Sequence, residues 1–123
     1  MARLVTITPS PVKVPSGSTY SNLYSAIDVS AFDELFLLAQ VLSIETPSSP
    51  SANINLITGM QTHTNDGWVT AATFSINAVG TWQTQLSKGT FLRFVRWYVT
   101  SATGMTNMTI WVSGVGRTFN TAA

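Results

Sequence analysis

The sequence predicts an all-β fold, a single-domain antiparallel β-sandwich of jelly-roll type with about eight strands. The segment Phe91–Thr100 (FLRFVRWYVT) is dense in aromatic and β-branched residues, which is typical of a strand. Asn65-Asp66-Gly67 is a strong hairpin-turn signal, and further strand-like segments recur about every 8–12 residues. A length of 123 residues fits one domain.

The segment Phe91–Thr100 is the predicted centre of the fold. Lys88-Gly89 precedes it and Ser101–Gly104 follows it, and both sequences favour turns. Alternation places apolar side chains on both faces, including Trp97 on one face and Tyr98 on the other. We therefore expect an inner strand of the sandwich, whose two arginines reach sheet edges or a neighbouring chain.

The N-terminal residues 1–17 predict an extended Pro-rich arm. Arg3–Thr8 alternates and could form a short edge strand. The three prolines that follow it interrupt regular ladder hydrogen bonds. The arm carries five residues that are too apolar for a free tail, and they need a groove on this chain or on another: Leu4, Val5, Ile7, Val12 and Val14. Residues 18–117 then form the sandwich, and residues 118–123 form a polar tail.

Glu34–Ile44 is compatible with either a helix or a strand. Ser30 and Asp33 fit a helix capping box, and the apolar residues suit one helical face. The alternative is a fully buried strand, which we favour because the later segments are strand-like and joined by close turns. The other predicted strands are Thr19–Val29, Asn53–Thr62, Trp68–Ile76, Thr81–Leu86 and Met105–Val115, with a loop at 46–52. Asn53–Thr62 and Trp68–Ile76 form a predicted hairpin.

Charge is unusually scarce in this chain. Only 9% of the residues are Asp, Glu, Lys or Arg, whereas about 25% is typical. A polar but uncharged surface is poorly protected against association. The composition fits either a neutral extracellular-type β protein or a subunit whose surface is partly covered by other chains.

Composition also disfavours several function classes. The six basic residues are scattered, so no nucleic-acid footprint is predicted. No apolar run approaches the roughly 20 residues that span a bilayer, and the N-terminus lacks the pattern of a signal peptide. We expect no membrane partner and synthesis in a cytoplasm. With no cysteine, the chain has no disulfide, thiol nucleophile or thiolate metal site.

No catalytic, cofactor or metal motif stands out. The one histidine, His63, lies beside the predicted hairpin turn, where a solvated side chain is expected. Asp33 and Glu34 are adjacent, but on a strand they would point to opposite faces. Trp68, with Asp66 and Gln61, is the candidate contact for a sugar ring, although tryptophans in small sandwiches are more often core residues.

Five segments, taken in order, resemble the small β-sandwich virion structural proteins of tailed bacteriophages. They are Asp28–Leu35 (DVSAFDEL), Asp66-Gly67-Trp68, Thr73-Phe74-Ser75, Arg93–Thr100 (RFVRWYVT) and Val112–Arg117 (VSGVGR). The resemblance covers most of the chain, and it lies in pattern and order rather than in a catalytic motif.

The resemblance implies a non-enzymatic oligomer bound to a protein lattice, without a cofactor. A capsid decoration (cement) protein is the first expectation. It would be a homotrimer on the major capsid protein lattice at the virion surface, attached through the apolar arm residues. The alternatives are a receptor- or carbohydrate-binding module of a tail fibre or baseplate, and a neck or tail subunit.

Overall fold

The computed structural model describes residues 2–8, 10–20 and 26–119, with Tyr20 described by its backbone alone. These residues form one curled sheet in which every pairing is antiparallel. Its strands are β1 (Ala2–Thr6), β2 (Val12–Tyr20), β3 (Ile27–Asp28), β4 (Glu34–Glu45), β5 (Ser51–Gly59), β6 (Val69–Ile76), β7 (Gly80–Ser87) and β8 (Phe94–Arg117). The predicted all-β antiparallel class is confirmed.

The 24-residue strand β8 is the axis of the sheet. One of its edges pairs with β1, β2 and β3, and the other pairs with β4 and β5. β7 flanks β4, and β6 flanks β5. The sheet therefore has two halves, which we name after the half of β8 that each contains. The C-terminal half holds β1, β4, β7 and residues 107–117 of β8, the N-terminal half holds β3, β5, β6 and residues 94–103, and β2 runs along both.

β8 bends between its two halves without leaving the sheet. Ser101 and Gly104 take left-handed backbone angles, with φ of 56° and 71°. A side chain at Gly104 would lie 2.4 Å from the carbonyl oxygen of Ser48, so only glycine fits. The prediction of two separate strands with a turn at Ser101–Gly104 is wrong, because β2 and β5 keep pairing with β8 beside the bend.

The bend shifts which residues of β8 face the core. Before it the side chains that face the core are at odd-numbered positions, with Trp97 and Val99 at 1% and 0% exposure. From Met108 onward they are at even-numbered positions, with Ile110 and Val112 at 0%. Side chains of both halves join one hydrophobic core. A continuous strand can thus supply both layers of a sandwich-like fold.

The strand interpretation of Glu34–Ile44 is confirmed, because this segment forms β4 and pairs on both edges. The prediction that the strand is fully buried is wrong, because only one of its faces meets the core and Phe36 and Leu42 are 41% and 44% exposed. The hairpin is confirmed as β5 and β6. The predicted strand Thr19–Val29 is found as the end of β2 and as β3, and residues 21–25 lie outside the described residues. Met1, Pro9 and residues 120–123 also lie outside them.

The segment predicted to form an arm lies on β8 of its own chain. Residues of β1 and β2 pair with β8, and Val5, Ile7 and Val14 are at most 2% exposed. The Thr8 hydroxyl accepts a hydrogen bond from the Val112 amide at 2.7 Å. These contacts make the N-terminal residues part of the core of this chain.

Candidate interaction surfaces

The outer face of the N-terminal half is covered by the connection between β5 and β6. We call this segment, Met60–Trp68, the cap. Arg96, on the outer side of β8, is only 1% exposed beneath it. The prediction that this arginine reaches an edge or a neighbouring chain is wrong, because the cap folds back over it.

Arg96 and Trp68 hold the cap in place. The Arg96 guanidinium donates to Oδ1 of Asn65 at 2.8 Å and lies 5.2 Å from the centroid of the Trp68 ring. The indole N–H of Trp68 donates to the Thr64 carbonyl at 2.9 Å. A side chain at Gly59 would come within 2.9 Å of the indole, so glycine lets the ring lie against the strand. A buried guanidinium needs such partners to offset its desolvation.

Two of the three predicted sugar-contacting residues line one cavity, and the third does not. Gln61 and Asp66 line a cavity of about 220 Å³ in the cap, together with Met60, Thr64 and Gly67. Trp68 is half-buried and anchors the cap instead of lining this cavity. The cavity offers an amide, a hydroxyl and a carboxylate, which can hydrogen-bond a neutral polar ligand.

The outer face of the C-terminal half carries an apolar surface that no described segment covers. We call it the apolar face: Leu4, Phe36, Leu38, Trp111 and Val115. Leu4 is 73% exposed, Phe36 41%, and Val115 36%. The register places these three side by side across β1, β8 and β4. An open cavity of about 270 Å³ lies beside them and is also lined by Leu37, Leu38, Gln83, Ser113 and Gly114.

The apolar face is electrically neutral. At one end Arg117 pairs with Glu34 at 3.3 Å, and near the other end Lys13 pairs with Glu45 at 3.3 Å. The polar residues that line the cavity between them are Gln83 and Ser113. A charged partner would find no opposite charge at the centre of this surface.

The structure separates the five predicted arm contacts. Leu4 belongs to the apolar face and Val12 is half-buried, whereas the other three are core residues of this chain. The sequence analysis did not identify Phe36 and Val115 as exposed residues of an interaction surface. The available signal was that β4 is apolar on both faces, although one face of a sheet suffices for a core.

Asp28, Asp33 and Glu34 are engaged in structural contacts. Oδ2 of Asp33 accepts the Phe119 amide at 2.8 Å and Oδ1 accepts Lys88 Nζ at 3.2 Å, which lowers the pKa of Asp33. Glu34 instead contacts Gln85 and Arg117, so this adjacent pair does not converge on one site. Hydrogen bonds from Ser30, assisted by Arg93, lower the pKa of Asp28. Among the described residues, no three metal-ligating side chains cluster.

Neither protein-family models nor curated proteins match the sequence. A solved structure from work on Bacillus endospore appendages, described as disulfide-linked pili, matches in fold with a TM-score of 0.50. The identity is 9%, and the match covers 98% of this chain and 88% of the other. The described part of the chain has no helix that is long and apolar enough to cross a membrane.

Proposed function

We propose that this chain is a non-enzymatic structural subunit of a larger protein assembly, with a capsid decoration (cement) protein of a tailed bacteriophage as the specific candidate. The observation that carries the proposal is the neutral apolar face, which no described segment of the chain covers. Exposed contiguous apolar surface on a small soluble domain marks an interaction site. Its burial in an assembly would stabilise the assembled state by mass action.

Two further points support the proposal. The sequence resembles small virion β-sandwich proteins, and the pilus structure that shares its fold belongs to an assembly. This chain has no cysteine, so its own contacts would contain no disulfide. Burial of the apolar face is such a contact, because it is stabilised by removing apolar side chains from water.

Particle composition tests this function. Phage particles released from cells that carry the gene are purified, and copies of this chain per particle are counted by quantitative mass spectrometry. Hundreds of copies, with density on the head, support a decoration protein, whereas six or twelve copies support a neck or tail subunit. Absence from purified particles contradicts the virion assignment.

A carbohydrate- or receptor-binding role is the second candidate, and the cap cavity is the observation that favours it. A glycan array tests it with Asp66→Asn and Gln61→Ala, two exposed positions that line the cavity. Trp68→Ala is unsuitable, because it also removes the anchor of the cap. Specific binding that either variant loses supports this role, and no binding by the wild-type chain contradicts it.

A further inference from the structure

We propose that the apolar face is the contact between two copies of this chain, packed face to face about a twofold axis. This inference rests on the proposed function and identifies a second copy of this chain as the partner that covers the apolar face. It differs from the threefold arrangement expected from the sequence, and the argument for it is the chemistry of the face itself.

The first step is self-compatibility of charge. In a twofold contact, each surface meets a copy of itself, so a central charge would be held near a like charge. The apolar face has none: the charged groups at its two ends, Glu34 with Arg117 and Lys13 with Glu45, are paired within the chain. Arg3, the chain neighbour of Leu4, lines a different cavity with Ala31, Phe32 and Thr118. Two such faces can approach without leaving a buried charge uncompensated.

The second step is self-compatibility of hydrogen bonding. The polar residues beside the face are amides and hydroxyls, represented by Gln83 and Ser113 in the cavity lining. Each of these groups both donates and accepts, so the same set on a second copy can satisfy it. A surface carrying only carboxylates or only ammonium groups lacks this property.

The third step is shape. Leu4, at 73% exposure, stands at the rim of an open cavity of about 270 Å³ that it lines together with Phe36, Leu38 and Val115. Every copy therefore presents a projecting apolar side chain and an apolar hollow. In a face-to-face pair, the Leu4 side chain of each copy can enter the hollow of the other.

The oligomeric state of the purified full chain tests the proposal, measured by sedimentation velocity over a wide concentration range. The wild type is expected to reach the mass of two chains. Leu4→Asp places like charges in the contact and should raise the dissociation constant about tenfold or more. Val79→Asp is the matched control, because Val79 is 58% exposed in the turn between β6 and β7 and lies off the face. It should dimerise normally.

A mixture sharpens the test. Leu4→Asp and Leu4→Lys chains should each be monomeric and should form a mixed pair when combined, with circular dichroism confirming that both remain folded. A wild-type chain that stays monomeric, forms a trimer, or still dimerises as Leu4→Asp overturns the face-to-face pair. Particle incorporation by a monomeric wild type would leave the structural function standing while this inference fails.

Discussion

The two halves of the sheet share one core but treat their outer faces in opposite ways. In the N-terminal half, the cap folds back over β5 and β8 and buries Arg96 to 1% exposure. In the C-terminal half, no described segment folds over the outer side of β1, β4 and β8, and the apolar face stays open. A face covered by its own chain can hold a buried charge, because the covering segment supplies its partners, as Asn65 and Trp68 do for Arg96. If another chain covers the open face, as we propose, a charge there would have no partner before assembly, and this face is neutral.

Trp97→Ala should have the largest effect, because Trp97 lies at 1% exposure in the core that both halves share. Truncating a fully buried tryptophan should lower the free energy of unfolding by about 3–5 kcal/mol. Equilibrium urea unfolding measures the loss. Trp111→Ala is the control on the apolar face, where the ring is 36% exposed and its indole N–H donates to the Thr8 carbonyl at 2.8 Å; it should cost less, about 1–2 kcal/mol. Equal effects would contradict the placement of these two rings.

Arg96→Met should have the next largest effect, and its local effect should be greatest in the cap. It removes a charged hydrogen bond to Asn65 and the contact with the Trp68 ring, which together predict a loss of about 2–3 kcal/mol. Amide hydrogen exchange should rise most within residues 60–68, through local opening of the cap, and should rise in β4 and β7 only as far as the lower global stability requires. The control is Arg93→Met, since Arg93 is exposed and its ion pair with Asp28 should contribute less than about 1 kcal/mol. Unchanged exchange in the cap would show that Arg96 does not hold it.

The strand segments were predicted more accurately from the sequence than the turns and bends that connect them. β4 was recognised from context, and its alternation of buried residues bears this out. The turn-like residues Ser101–Gly104 suggested a break, yet they lie inside β8. Their conformation depends on Gly17 of β2, which also has a positive φ, and on the Ser48 backbone, both far away in sequence. Local turn chemistry could not distinguish a bend within a strand from a loop.

The surfaces were harder to predict than the fold. Leu4 was predicted to be an interface residue because it was too apolar for a free tail, and it is the most exposed member of the apolar face. Val5 and Ile7 carried the same signal and are buried, since alternation alone does not tell which side of a strand meets the core. The burial of Arg96 depends on how the distant Asn65 and Trp68 fold back, which no local pattern reports.

Acid should weaken both halves modestly, through one carboxylate in each. Asp28, at β3, and Asp33, at the start of β4, both have a pKa below the usual 3.8. The folded chain then binds fewer protons than the unfolded chain, so their stabilisation is complete well above pH 4 and is lost as pH falls through their folded pKa values. Asp28→Asn and Asp33→Asn should each flatten the dependence of unfolding free energy on pH below about pH 4. Variants with the wild-type slope would contradict these roles.

Leu4→Ser should have the smallest effect on the isolated chain, and this makes it the sharpest comparison with the capped half. Leu4 is 73% exposed, so at low protein concentration the melting temperature should match the wild type, with a change within about 0.5 kcal/mol. As the concentration rises, the wild type should melt at increasing temperatures, because pairing of the apolar face adds stability by mass action. The Leu4→Ser melting temperature should stay constant, whereas Arg96→Met should keep the wild-type concentration dependence at a lower melting temperature. If wild type and Leu4→Ser rise together, the apolar face is not the surface that associates, and the contrast between the two halves does not govern assembly.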